Sequence, residues 1–175
     1  MEKKSCKLEP LVGLEWDGAS IRFGQGLAEV SALLGKPENT RGPRRYYCGG
    51  ELALDFDGED RLEFIEFLGG PEGALRPGLY GQDVFDTDAD ELYARLAKRN
   101  GPEIDEDEAP YGYALRRLSI GLCREVAPED INAMLREMCN VDLTRLGGIG
   151  MDMEAERRKA YRWATVGIGK KDYYV

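Results

Sequence analysis

The chain has 175 residues, enough for one domain or for two small halves sharing a core. Asp and Glu number 33 against 24 Lys and Arg, a formal net charge of −9 with 42% hydrophobic residues, which is ordinary for a globular protein and unfavourable for phosphate backbones. There are no histidines, and this excludes Ser-His-Asp and Cys-His nucleophiles, His-containing zinc sites and His proton shuttles.

Residues 1–11 read as a polar lead-in. Leu14, Trp16, Ile21 and Phe23 flank Asp17-Gly18, a hairpin signal. Gly24-Gln25-Gly26 turns into a first helix, in which Leu27, Val30, Leu33 and Leu34 form one apolar stripe; Gly35 and Pro37 end it. Residues 36–45 read as loop and 45–48 as a short strand. Leu52, Leu54 and Phe56 alternate with Glu51 and Asp55, Asp57-Gly58-Glu59-Asp60 is a turn, and 61–68 is the next strand, so 51–67 is predicted as a β-hairpin. Both faces of its second strand carry apolar residues: Leu62 and Phe64 on one, Ile65 and Phe67 on the other. That sheet is either covered on both sides or leaves an apolar patch for another protein.

Residues 69–78, rich in Gly and Pro, read as a loop between two halves. Thr87 or Asp86 is expected to cap a second helix carrying Ala89, Leu92, Tyr93 and Leu96, which Lys98-Arg99-Asn100-Gly101-Pro102 terminates. Residues 103–108 form an acidic loop, followed by strands at 111–115 and 117–125. Pro128-Glu129-Asp130 opens a third helix with Ile131, Met134, Leu135 and Met138. Gly147-Gly148-Ile149-Gly150 separates it from an arginine-rich helix at about 153–161. A strand at 163–168 and the pair Tyr173-Tyr174 close the chain.

The order of helix then antiparallel strands occurs twice. Phe23, Val30 and Leu34 match Phe85, Leu92 and Leu96 at an offset of about 62 residues, and the strand Leu52/Leu54/Phe56 matches Leu118/Ile120/Leu122. The chain is therefore expected to be a single α+β domain over residues 1–175. Its antiparallel β-sheet is built from two tandem helix-then-strands halves, about 14–68 and 80–125, with helices packed mainly on one sheet face and a C-terminal extension over 126–175.

The stretch from Ile21-Arg22-Phe23-Gly24-Gln25-Gly26 through Leu33-Leu34-Gly35-Lys36-Pro37, then Tyr46-Tyr47, Leu52-Ala53-Leu54-Asp55-Phe56-Asp57 and Arg61-Leu62-Glu63-Phe64-Ile65, resembles a known repeat unit. It is that of the β-lactamase-inhibitor-protein-like superfamily, shared by outer-membrane assembly lipoproteins of the BamE/SmpA type. The resemblance covers residues 20–68 well and 80–125 loosely. It implies two tandem halves presenting a concave sheet to an enzyme, hence protein binding rather than catalysis. The chain departs from the family in lacking a lipobox cysteine and an evident disulfide pattern, and no functional residue is carried over, because the matching positions are scaffold positions.

Other constellations are weaker. Asp86, Asp88 and Asp90 resemble a calcium loop, but its later glycine and glutamate positions hold Glu91 and Ala97. Gly167-Ile168-Gly169-Lys170-Lys171 does not complete a phosphate loop. Cys6, Cys48, Cys123 and Cys139 have no metal-site spacing and read as reduced thiols. No run approaches the roughly 20 apolar residues of a membrane span, and no apolar segment follows the basic start, so a cytoplasmic location is expected.

The favoured function is a non-enzymatic protein-binding module, inhibitor-like or immunity-like, using an open sheet face and acidic loops. The expected partner is another protein, a basic one suiting the acidic loops, with no nucleic acid and no membrane. The candidate partner-binding residues are Tyr46, Tyr47, Ile65, Phe67, Glu103, Asp105, Asp107, Tyr111 and Trp163. No catalytic residue, metal or cofactor is assigned. The alternatives are a small-molecule-binding sensor and an enzyme with a carboxylate-based site.

Overall fold

The computed structural model describes residues 3–140 and 153–175. The glycine run at 147–150 lies outside the described residues. The fold is α+β, as expected, but two sheets replace the single one. The first half contributes β1 (Lys4–Glu9), β2 (Gly13–Trp16), β3 (Ala19–Arg22), α1 (Leu27–Leu34), β4 (Asn39–Arg41), β5 (Arg44–Tyr47), β6 (Leu52–Phe56) and β7 (Leu62–Phe67). Then come β8 (Leu75–Leu79), β9 (Gln82–Asp83), α2 (Ala89–Asn100), β10 (Ile104–Asp105), β11 (Gly112–Leu115) and β12 (Ile120–Cys123). The chain ends with α3 (Pro128–Asn140), α4 (Met153–Ala160) and β13 (Thr165–Gly169).

The five-stranded sheet runs β3-β2-β1-β8-β9, and the eight-stranded sheet runs β10-β11-β12-β13-β7-β6-β5-β4. The smaller sheet corrects two sequence expectations. The polar lead-in is its central strand β1, because Cys6 and Leu8 alternate with Ser5 and Lys7 and turn inward, 5% and 2% exposed. The loop at 69–78 contains β8, which pairs with β1 in parallel; Pro77 and Gly78 in that strand hid it from a propensity reading. Likewise β4 lies in the expected loop at 36–45, and β10 in the acidic loop. The turn Asp17-Gly18 joins β2 to β3 with both residues at positive φ, as a tight hairpin requires.

The larger sheet is mirrored about its middle. The meander β4-β5-β6-β7 follows α1, and β10-β11-β12 follows α2. β13 then inserts between β12 and β7, antiparallel to both. Alternation assigns the faces. Leu52, Leu54, Ile65, Phe67, Ile120, Leu122, Val166 and Ile168 point inward and join one core with the smaller sheet, α1 and α2. The face expected to be open through Ile65 and Phe67 is therefore the buried one, and both residues are 0% exposed.

Two buried arginines fix the joints between elements. Arg76, 4% exposed, holds Asp83 through Nε at 2.9 Å and Nη2 at 3.0 Å, and reaches Asp86 at 2.5 Å. Arg124, 3% exposed, donates to the Pro110 carbonyl at 2.9 Å and the Ala160 carbonyl at 3.0 Å, and lies over the Trp163 ring at 5.1 Å. Trp163 is itself core, and its indole N–H donates to the Ala89 carbonyl at 3.0 Å. The cap of α2 is Asp88, not Thr87 or Asp86, accepting from the amides of Asp90 and Glu91. Asp86 and Asp90 turn away to Arg76 and Arg124, so the three aspartates have separate partners.

Candidate functional site

The outward face of the large sheet has an unusual composition. β12 reads Ile120-Gly121-Leu122-Cys123 and β13 reads Thr165-Val166-Gly167-Ile168-Gly169: each large inward residue alternates with a small outward one. Register places Asp105, Ala114, Gly121, Gly167, Glu66, Ala53, Tyr46 and Asn39 in a single row across all eight strands. At about 4.8 Å per strand, Asp105 and Glu66 stand roughly 19 Å apart. Between them Ala114, Gly121 and Gly167 leave a trough of about 400 Å³, which Asp107, Glu108, Cys123, Thr165 and Tyr174 also line.

Four carboxylates border this trough, and they differ. Burial pushes Glu66 above the usual glutamate range against the pull of Arg44. The Arg44 guanidinium spans β6 to reach it, and also faces Asp55 at 3.2 Å. Asp105 is held below its usual value by the hydrogen bond from Arg116, at 2.9 Å, and by the Asp107 amide. Asp107 and Glu108 are exposed and make no ion pair among the described residues. Cys123 is an exposed free thiol, raised by burial of its sulfur and then by Glu108 and Glu66, so it is a slow nucleophile. Among the described residues no group of His, Cys, Asp and Glu is placed to hold a metal ion.

One end of the trough is closed by the segment after β13. Tyr173 stacks on Phe64, with ring centroids 4.5 Å apart and planes at 7°, and Tyr174 meets Phe64 edge-on at 6.0 Å. A methyl group at Gly121 would overlap the Tyr174 hydroxyl, and one at Gly167 would overlap the Phe64 ring. These glycines are what allow the aromatic rings to lie against the sheet.

The candidates from sequence divide accordingly. Asp105 and Asp107 border the trough, and Glu103 lies just outside it in the loop before β10. Tyr46 is on the same face but six strands from Asp105, roughly 29 Å away at the spacing of neighbouring strands, beside Arg44 and Arg41. The segments 40–50 and 103–112, which carry the tyrosine and acidic candidates, thus lie at opposite edges of one sheet. Tyr47 is 3% exposed, and Ile65, Phe67 and Trp163 are core. Tyr111 is 40% exposed and donates to Asp130 at 2.9 Å, away from the trough. Sequence reasoning placed Glu108 in the acidic loop and Tyr174 in the closing aromatic pair without singling them out, and it missed Glu66, Gly121 and Gly167 as parts of the site. The large–small alternation of β12 and β13 was the signal that could have found the floor.

No protein-family model, curated protein or solved structure matches this chain. Among the described residues no helix is long and apolar enough to cross a membrane.

Proposed function

We propose that this chain is a binding module that recognises a basic protein segment on the outward face of its eight-stranded sheet. The carrying observation is the trough itself: a floor of Ala114, Gly121 and Gly167 set between Asp105 and Glu66, with Asp107 and Glu108 at its rim making no ion pair among the described residues. Beside the rings of Phe64 and Tyr174, Ala114 and the half-buried Gly121 leave room for a partner against the sheet, and carboxylates without a cationic partner steer and select cationic ligands. The resemblance to inhibitor proteins that present a concave sheet supports the same use, and an inhibitor-like or immunity-like role is its most concrete form. The free thiols Cys6, Cys48 and Cys123 support a cytoplasmic setting, where thiols stay reduced.

A photo-crosslinking residue at Ala114 tests the proposal. The expected product is a covalent adduct with a basic protein. Its yield falls at high salt and falls again in the double variant Asp107→Asn, Glu108→Gln. Yield indifferent to both salt and these substitutions overturns the proposal.

A further inference from the structure

We infer that the segment recognised on this face is aromatic as well as basic, and that residues 170–175 of the chain are a resident stand-in for it. This rests on the reading of the outward face as a binding surface. The stand-in is Lys170-Lys171-Asp172-Tyr173-Tyr174-Val175. Its backbone is pinned where Lys170 donates to the Glu63 carbonyl at 2.8 Å and accepts from the Ser119 hydroxyl at 2.9 Å. The Lys170 ammonium then sits 3.0 Å from Glu63 and 3.6 Å from Asp57. A turn brings Tyr173 flat onto Phe64 and Tyr174 over Gly121.

One end of the face thus already holds a cation on carboxylates and two rings on a glycine floor. The other end offers acidic groups and a small floor residue. Ala114 continues the floor, Gly112 lies buried under the Glu108 side chain, Thr165 and Cys123 flank the floor, and Asp107 and Glu108 make no ion pair among the described residues. Tyr174 stands at the boundary, as a wall of the empty part and an occupant of the filled part. Glycine is a poor strand residue unless something packs closely on it. At Gly121 that something is the Tyr174 ring, and at Gly112 it is the Glu108 side chain, so the seat over Gly121 is the one shaped for an aromatic side chain. A partner segment would place a ring in the seat of Tyr174 and a cation toward Asp107 and Glu108.

The test uses the chain's own segment as probe. A fluorescein-labelled peptide Lys-Lys-Asp-Tyr-Tyr-Val is titrated into intact protein and into protein lacking residues 172–175, with melting curves to verify folding. The shortened protein is expected to bind about tenfold more tightly than the intact one. Replacing both tyrosines of the peptide by alanine, or both lysines by glutamate, is expected to abolish most of that gain. The peptide should also slow alkylation of Cys123. Full-length protein carrying Tyr173→Ala and Tyr174→Ala, which empties the seat over Gly121, gives the same comparison if the shortened chain does not fold. Equal binding to intact and altered protein, or equal binding of the tyrosine and alanine peptides, overturns the inference. Binding of basic peptides that depends on Asp107 and Glu108 but ignores tyrosine would leave the proposed function standing and sink this inference alone.

Discussion

Replacing Arg124 with methionine keeps most of the side-chain volume and removes the guanidinium. The arginine is 3% exposed, so little solvent is at hand to replace it. Two carbonyls, Pro110 and Ala160, lose charged donors at 2.9 and 3.0 Å. Hydrogen bonds to charged groups contribute about 1.5–3 kcal/mol each, and an orphaned buried acceptor costs a similar amount. The ring contact with Trp163 adds about 1 kcal/mol. Asp90 adds less, because its carboxylate is 59% exposed and readily solvated. Better apolar packing of methionine recovers part of the loss, and the expected net destabilisation is about 3–5 kcal/mol. In a domain of this size that lowers the melting temperature by about 10 °C. Urea titration monitored by tryptophan fluorescence is the assay, since Trp163 lies beneath the guanidinium. Arg124→Lys should recover about half, because an ammonium reaches one carbonyl and not both. Asp90→Asn should stay within about 1 kcal/mol of the parent. An Arg124→Met protein within about 1 kcal/mol of the parent, with the same denaturant slope, would refute the reasoning.

Asp57 accepts from the backbone amides of Glu59 and Arg61, which hold it below its ordinary value of 3.8. A depressed carboxylate stabilises the fold above its unfolded-state value and loses that contribution as pH falls through the folded one. Asp57→Ala should therefore lower the melting temperature at neutral pH, with the deficit closing as the pH drops below 3.8; a deficit independent of pH counts against it. Glu66 has the opposite sign, since burial raises it, so acidification should discharge Glu66 above the usual glutamate value of 4.5, and affinity for a basic peptide should begin to fall at that higher pH. In site-resolved thiol labelling, Cys123 should react well before Cys6, which is 5% exposed and whose thiol is pushed up to about 12; equal rates would contradict the burial assigned to Cys6. Arg76→Met should destabilise by about 3 kcal/mol in urea titration, since Asp83 loses a buried bidentate partner.

Where local pattern and tertiary context agreed, the sequence was legible. The hairpin of β6 and β7 follows from Leu52, Leu54 and Phe56 alternating before a turn of Asp and Gly. The second helix follows from Leu92 and Leu96 ahead of Asn100-Gly101-Pro102. Context overrode pattern in β1 and β8: a strand with Lys at both 4 and 7, and another with Pro77, are stabilised mainly by pairing with each other across about 70 residues of chain. Face assignment failed for a related reason. Ile65 and Phe67 shared a strand with the apolar Leu62 and Phe64, and only the register shows that the Phe64 side is the one covered by Tyr173 rather than by the core. The acidic loop was visible as charge. Its partner across the trough, Glu66, lies in a different half of the chain, and no local window joins the two.

The central position of β13 bears on how the protein is made. This strand is synthesised after every other strand, yet it lies between the two meanders and is hydrogen-bonded to both. Until it emerges, β7 and β12 are open edges facing one another, each able to pair with a foreign strand. The row from Asp105 to Glu66 also lacks Gly167, and the segment bearing Tyr173 and Tyr174 is not yet available. A nascent chain thus has an unfinished sheet and no trough, and closing the sheet and creating the binding face become one late, long-range event.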